Sequence, residues 1–229
     1  RAVTLTETRA GLLIPSPDST PTWLDSRPSD WTPEWCPAPQ WGTRRRPERQ
    51  TLGPAVAEVA EFLGTPFHPS QQVVMDTAME LDPETNTLVY STVIILIHRQ
   101  WGKSSLTLPR WVFRARRWRD QDMIYTAQRG KWATKKFKTD FVRKLRSSPL
   151  VESPVRATRI VDGAHYRVLM GSGMEGIEFP NGSTITVSAP GEDSGHGTTL
   201  DEAVVDEAFV HETADVDSGF VVPMITRGR

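Results

Sequence analysis

The chain has 229 residues, 27 Lys and Arg against 28 Asp and Glu, a formal net charge of −1 and a single cysteine. That length suits one ordinary domain plus an extension, and the even charge balance excludes a uniformly basic or acidic protein. Cys36 alone excludes an intramolecular disulfide, which suits a reducing cytosol. No apolar run approaches the roughly 20 residues of a membrane span. The start, R-A-V-T-L-T-E-T-R-A, has no signal-peptide core. It begins at Arg1 rather than Met, as a trimmed or processed chain would.

Residues 15–50 are rich in Pro and Trp, including P-S-P-D-S-T-P-T-W and W-T-P-E-W-C-P-A-P-Q-W. Repeated prolines exclude long helices and central strands. Residues 1–51 therefore read as an extended arm that wraps a domain, with Trp23, Trp31, Trp35 and Trp41 available to fill grooves. P-A-V-A-E-V-A-E-F-L, 54–63, has helical apolar spacing with Pro54 near its first turn, and Gly64 ends it. A second helix starts near Ser70, which reads as its N-cap. L-V-Y-S-T-V-I-I-L-I, 88–97, is β-branched and nearly all apolar, the pattern of a strand buried on both faces of a parallel sheet.

H-R-Q-W-G-K-S-S follows at once, and L-T-L-P-R-W-V-F-R-A-R-R-W then reads as a helix that Pro109 should kink. M-I-Y-T-A-Q, 123–128, reads as a strand, and K-W-A-T-K-K-F-K-T-D-F-V-R-K-L as an amphipathic helix. H-Y-R-V-L-M, G-I-E-F and S-T-I-T-V-S read as later strands, the last two joined by a turn at Pro180-Asn181-Gly182. E-A-V-V-D-E is a short final strand ending in two acids. The order strand, loop, helix, strand, helix is that of an α/β sheet.

Gly102-Lys103-Ser104 is the end of a phosphate-binding loop, although Ile97 stands where the usual pattern has its first glycine. Such a loop needs inward backbone N–H groups, a helix N-terminus beneath the phosphates and a Lys ammonium. A strand, a short loop and G-K-S opening a helix meet those needs. The nucleotide-binding segment is expected to be His98, Arg99, Gln100, Trp101, Gly102, Lys103, Ser104 and Ser105, with the Ser104 hydroxyl on Mg²⁺. Arg99 either reaches the γ-phosphate or holds the loop by a salt bridge. A Mg-nucleotide site also needs a carboxylate toward the metal and a base toward water. Asp206 and Glu207 suit these roles, because the apolar Ala203-Val204-Val205 leads into them. Asp201-Glu202 is a competing pair, approached from a Gly- and Thr-rich loop. A two-metal nuclease is another reading of the acids, although they lie in one local run.

These residues resemble the large terminase subunit of tailed bacteriophages, the ATPase that drives DNA into a procapsid. Arg99-Gln100-Trp101-Gly102-Lys103-Ser104 is similar to that family's glycine-poor loop R-Q-x-G-K-[ST]. F-H-P-S-Q resembles its adenine-recognition segment, which implies that Gln71 reads the adenine edge, with Ser70 in place of the usual aromatic. Y-T-A-Q-R-G-K-W-A resembles the segment after the second strand, and S-G-H-G-T-T-L-D-E-A-V-V-D-E-A the run into the Walker B acids. The resemblance covers 52–229. It implies an α/β, ASCE/RecA-like P-loop NTPase domain with a mainly parallel sheet flanked by helices.

By this resemblance ATP and Mg²⁺ are the cofactors. Lys103, Arg99 and Glu207 are the catalytic residues, and Ser104 and Asp206 hold the metal. The implied partners are double-stranded DNA gripped without sequence reading, the portal protein, the small terminase subunit and further copies in a ring, pentameric on the procapsid. No membrane is involved. The implied location is the host cell cytoplasm at the procapsid portal, not the mature virion. An intersubunit arginine finger is open among Arg129, Arg143, Arg146 and Arg156. The family's coupling motif and nuclease domain are not visible before the chain stops, so the chain reads as an N-terminal ATPase portion.

Residues 99–146 carry fifteen Lys and Arg against three acids, a local excess that can meet polyanions or form a solvated face. From Glu175 to Asp217 the balance reverses. Two other functions fit the same residues. One is a helicase-like DNA-dependent ATPase. The other is a nucleotide-binding interaction module that docks through the Trp-rich arm and turns over little.

Overall fold

The computed structural model describes residues 3–6, 24–25, 41–97, 101–127, 130–153, 165–171, 175–188 and 199–208. The chain divides into two compact units, Arg1–Pro109 and Arg110–Arg229.

In the first unit, strands β1 (Val3–Thr6), β2 (Leu24–Asp25) and β3 (Trp41–Thr43) precede helices α1 (Gly53–Phe62) and α2 (Pro69–Ala78). Strand β4 (Val93–Leu96) follows, and helix α3 (Lys103–Arg117) begins in this unit. The four strands form one sheet in the order β2-β3-β1-β4. Helix α1 has Pro54 in its first turn, and Gly64, at φ +70, follows its end. Val56 and Ala60 on α1 and Leu63 at its C-cap are buried, as are Val74, Met75 and Ala78 on α2, and the two helices pack together. The N-cap of α2 is His68, not Ser70. Pro69 takes the first helical position, where its missing N–H costs nothing, so the N-cap lies two residues earlier than expected and Ser70 is inside the helix.

The apolar run 88–97 does not form one strand buried on both faces of a parallel sheet. Its first half is diverted: Leu88 bridges Leu81, the Val89 N–H donates to the Glu80 carbonyl at 3.0 Å, and the Tyr90 hydroxyl donates to Glu80 Oε2 at 3.1 Å. Only Val93–Leu96 continues as β4. It pairs antiparallel with β1 in the register Val3↔Leu96, and Leu96 is 54% exposed. Glu80, with no exposed surface, organises this corner. Its other partners are the Arg46 N–H at 2.7 Å and Arg49 Nη1 at 3.1 Å.

In the second unit, the rest of α3 leads to β5 (Asp122–Thr126). A continuous helical stretch follows, made of α4 (Gly130–Lys136), a π-helical turn (Phe137–Val142) and α5 (Arg143–Ser147). Strands β6 (Val151–Glu152), β7 (His165–Leu169), β8 (Gly176–Glu178), β9 (Thr184–Ser188) and β10 (Glu202–Val205) complete it. The sheet order is β10-β5-β9-β8-β7-β6. Pairs β10/β5, β5/β9 and β6/β7 are parallel, and β7/β8 and β8/β9 are antiparallel. The unit is therefore α/β with a mixed sheet, in which five strands run the same way and β8 alone runs against them. Pro180-Asn181-Gly182 makes the β8–β9 hairpin turn as expected, with Gly182 at φ +89. Trp111, Tyr125, Phe137 and Phe141 are buried and meet edge to face, with Trp111 5.8 Å and Tyr125 5.2 Å from Phe141. Such contacts suit the ring quadrupole and add to the area buried. Helix α3 runs through Pro109 as one assigned helix. Among the described residues no helix is long and apolar enough to cross a membrane.

Tyr90 and Tyr166 are each pushed up to about 12, by burial first and then by the neighbouring carboxylates Glu80 and Glu152. A folded pKa above the unfolded value of about 10 gives stability that is complete below that pH and lost as pH rises toward the folded value. Urea midpoints should therefore fall between about pH 10 and pH 12, and Tyr90→Phe should make that fall shallower.

Candidate functional site

Gly102 directly precedes α3 at φ +93, in the left-handed region that favours glycine. A Cβ there would stand 2.7 Å from Gln71 Nε2, so besides the strained backbone it would displace that amide. The Ser105 N–H donates to the Gly102 carbonyl at 2.9 Å, closing the first turn. Lys103 and Ser104 thus occupy the opening residues of a 15-residue helix. The first N–H groups of a helix have no partner within it and the dipole is positive there, so an anion is favoured. His98, Arg99 and Gln100 lie outside the described residues. So do Trp23, Trp31 and Trp35 of the arm.

Gln71 is buried and fully engaged. Its Oε1 accepts from the His68 N–H at 3.2 Å, and its Nε2 donates to the carbonyls of Trp101 at 3.3 Å and Gly102 at 3.2 Å. His68 Nε2 lies 3.2 Å from the Trp101 carbonyl, and the His68 and Trp101 rings meet edge to face at 5.3 Å. The start of α2 therefore clamps the loop before α3. The family resemblance assigns Gln71 to an adenine edge; its amide here positions backbone. Sequence inspection misses the clamp, whose signal is the Pro-Ser-Gln capping pattern after His68.

The candidate acids lie in the other unit. The Asp206 N–H donates to the Thr126 carbonyl at 2.9 Å, which carries the β5/β10 ladder one residue past β10. Asp206 is thus at the carboxyl ends of two parallel strands, where open α/β sheets bind ligands. Asp206 Oδ2 accepts from the Tyr125 hydroxyl at 2.8 Å and forms an ion pair with Lys136. Burial, and then the Asp206 charge, push the Tyr125 phenol far above its usual range, so it stays a donor. The Thr126 hydroxyl is buried at this edge with no hydrogen-bond partner among the described residues. Glu207 is exposed at φ +58, a conformation that costs a residue of its kind about 1–2 kcal/mol. Among the described residues the other two non-glycine residues in that region, Asn86 and Asp120, are of types that tolerate it.

The competing acids have structural work. Glu202 is 7% exposed, accepts from Trp111 Nε1 at 2.9 Å, and lies 3.3 Å from Arg110 Nη2 and 3.2 Å from Arg114 Nη1. Asp201 Oδ2 accepts from the Asp122 N–H at 2.8 Å. Arg146 holds Glu152 through Nε at 2.7 Å and Nη2 at 2.9 Å, while Arg129 and Arg156 lie outside the described residues. A cavity of about 220 Å³ opens beside Arg116, His165 and Asn181, on elements other than those carrying the candidate acids.

Among the described residues no group of three His, Cys, Asp or Glu could hold a metal. Mg²⁺, however, often takes one or two carboxylates together with substrate phosphates. The Ser104 hydroxyl and the Asp206 carboxylate are oxygen donors of that kind. At Asp206 the Lys136 ammonium already supplies positive charge.

Two substitutions check these assignments. Glu202→Ala strands two arginines and should cost about 3 kcal/mol or more in denaturant unfolding. Gly102→Ala should cost about 1–2 kcal/mol from backbone strain plus the displacement of the Gln71 amide, and only the second part should vanish in a Gln71→Ala background.

No family model matches the chain, and neither a curated protein nor a solved structure gives a significant match. The functional reading rests on the residues themselves.

Proposed function

We propose that this chain is the ATP-hydrolysing portion of a DNA-packaging motor of the large-terminase kind. The observation that carries the reading is the left-handed Gly102 leading into a helix opened by Lys103 and Ser104. That is the local chemistry of a phosphate cradle, in a sequence whose loop resembles the family's own. The acid pair supports it: Asp206 and Glu207 follow a strand parallel to β5, at the edge where ligands bind.

In this reading Lys103 and the first turn of α3 bind the β- and γ-phosphate oxygens, and Arg99 adds charge to the γ-phosphate. The exposed Glu207 orients the attacking water and takes its proton. Ser104 and Asp206 are the residues the resemblance gives to Mg²⁺, which would neutralise phosphate charge. The clamp of His68 and Gln71 on Trp101 and Gly102 holds the loop in register for the phosphates. The motor would work on double-stranded DNA as a ring beside the portal and the small subunit, in the cytoplasm of the infected cell.

A second reading has a specific observation in its favour. Lys136 and Tyr125 both engage Asp206, so the chain alone would bind nucleotide and turn it over little.

Calorimetry with Mg-ATP tests the cradle. The chain should bind, and Lys103→Ala should abolish binding; equal binding by both would remove the phosphate assignment. Glu207→Gln should keep binding and lower turnover at least about 100-fold, as loss of a general base does. Binding without turnover in the unsubstituted chain would favour the second reading.

A further inference from the structure

The helical stretch 130–147 has two unlike faces. Ala133, Phe137, Phe141, Val142 and Leu145 are buried. Lys131, Lys135, Lys138 and Arg143 are exposed, and Trp132 beside them is 54% exposed. The π-helical turn at Phe137–Val142 matters here. Steps of four residues over-rotate slightly in an α-helix and under-rotate in the wider π-turn, so the drift cancels. Lys131, Lys135 and Arg143 therefore stay on one line over about 18 Å, with Lys138 beside it.

Other cations of the segment are already committed: Lys136 to Asp206 and Arg146 to Glu152. Among the described residues none of the four exposed cations makes a salt bridge. Lys135 Nζ instead lies 5.4 Å from the centroid of the Trp132 ring. A polyanion satisfies the four charges. The exposed indole narrows the choice, because a flat ring flanked by cations suits a base stacked on it with its phosphates on the lysines. A duplex keeps its bases stacked inside and offers Trp132 nothing.

We propose that the exposed face of the 130–147 helix binds single-stranded nucleic acid, with Trp132 as the stacking platform and Lys131, Lys135, Lys138 and Arg143 on the backbone phosphates. This site does not rest on the nucleotide reading above.

The test is fluorescence anisotropy of the full chain with a labelled oligothymidylate of about 15 nucleotides and with a duplex of the same length, each in a salt series. The single strand should bind more tightly than the duplex, with log K falling against log salt at a slope of about −3 for four phosphates. Trp132→Ala should weaken it about 5- to 150-fold with the slope unchanged, and Trp132→Phe should restore most of the loss. Lys131→Ala with Lys135→Ala should make the slope shallower by about 1.4. These side chains are exposed, so melting curves of the variants should match the parent. Equal binding of duplex, indifference to Trp132→Ala, or no binding of either oligonucleotide would each overturn the proposal.

Discussion

Trp111 holds the second unit together through two kinds of contact at once. Its ring meets Tyr125 and Phe141 edge to face, and its N–H donates to Glu202 at 2.9 Å. A buried carboxylate would cost several kcal/mol unpaired, and Arg110 and Arg114 supply the compensating charge. Trp111, Arg110 and Arg114 lie on α3, Tyr125 on β5 and Glu202 on β10. The cluster therefore fixes α3 against two parallel strands and sets where β10 ends. The position of Asp206 and Glu207 at the carboxyl edge follows from it, since both are the next residues along the chain. Removing the indole would cost aromatic packing and leave Glu202 short of a donor at the same moment.

Local pattern made the helices and the β8–β9 hairpin legible, because spacing, Pro54 and Pro180-Asn181-Gly182 carry their signals within a few residues. Partners distant in sequence were not legible. Glu202 and Trp111 stand 91 positions apart, and nothing in D-E-A-V-V distinguishes a buried ion pair from a catalytic acid until both arginines are found beside it. The run 88–97 failed for a related reason: an apolar stretch signals burial in general, and neither its sheet nor its direction. Glu80 decided that outcome by capturing Tyr90, a contact invisible to periodicity. The candidate site was half legible. Gly102-Lys103-Ser104 at the start of a helix and two acids after a strand could be read directly, but the clamp of Gln71 and the Lys136–Asp206 pair could not.

The basic segment 99–146 shows why counting charges misleads. Its cations have at least three fates. Arg110 and Arg114 are drawn inward to Glu202, Lys136 to Asp206, and Lys131, Lys135, Lys138 and Arg143 stay exposed on the outer helical face. Net excess over a stretch of sequence therefore overstates the field any ligand would feel. What remains outside is smaller, but it is ordered along one line by the π-turn.

The Lys136–Asp206 pair bears most directly on the function proposed above. Asp206 Oδ2 already takes a phenol hydroxyl and an ammonium, so any metal there would compete with the ammonium for the same oxygen. Glu207, the next residue, is itself exposed and in the left-handed region, so the strained backbone at this strand end lies at the second acid and not at the first.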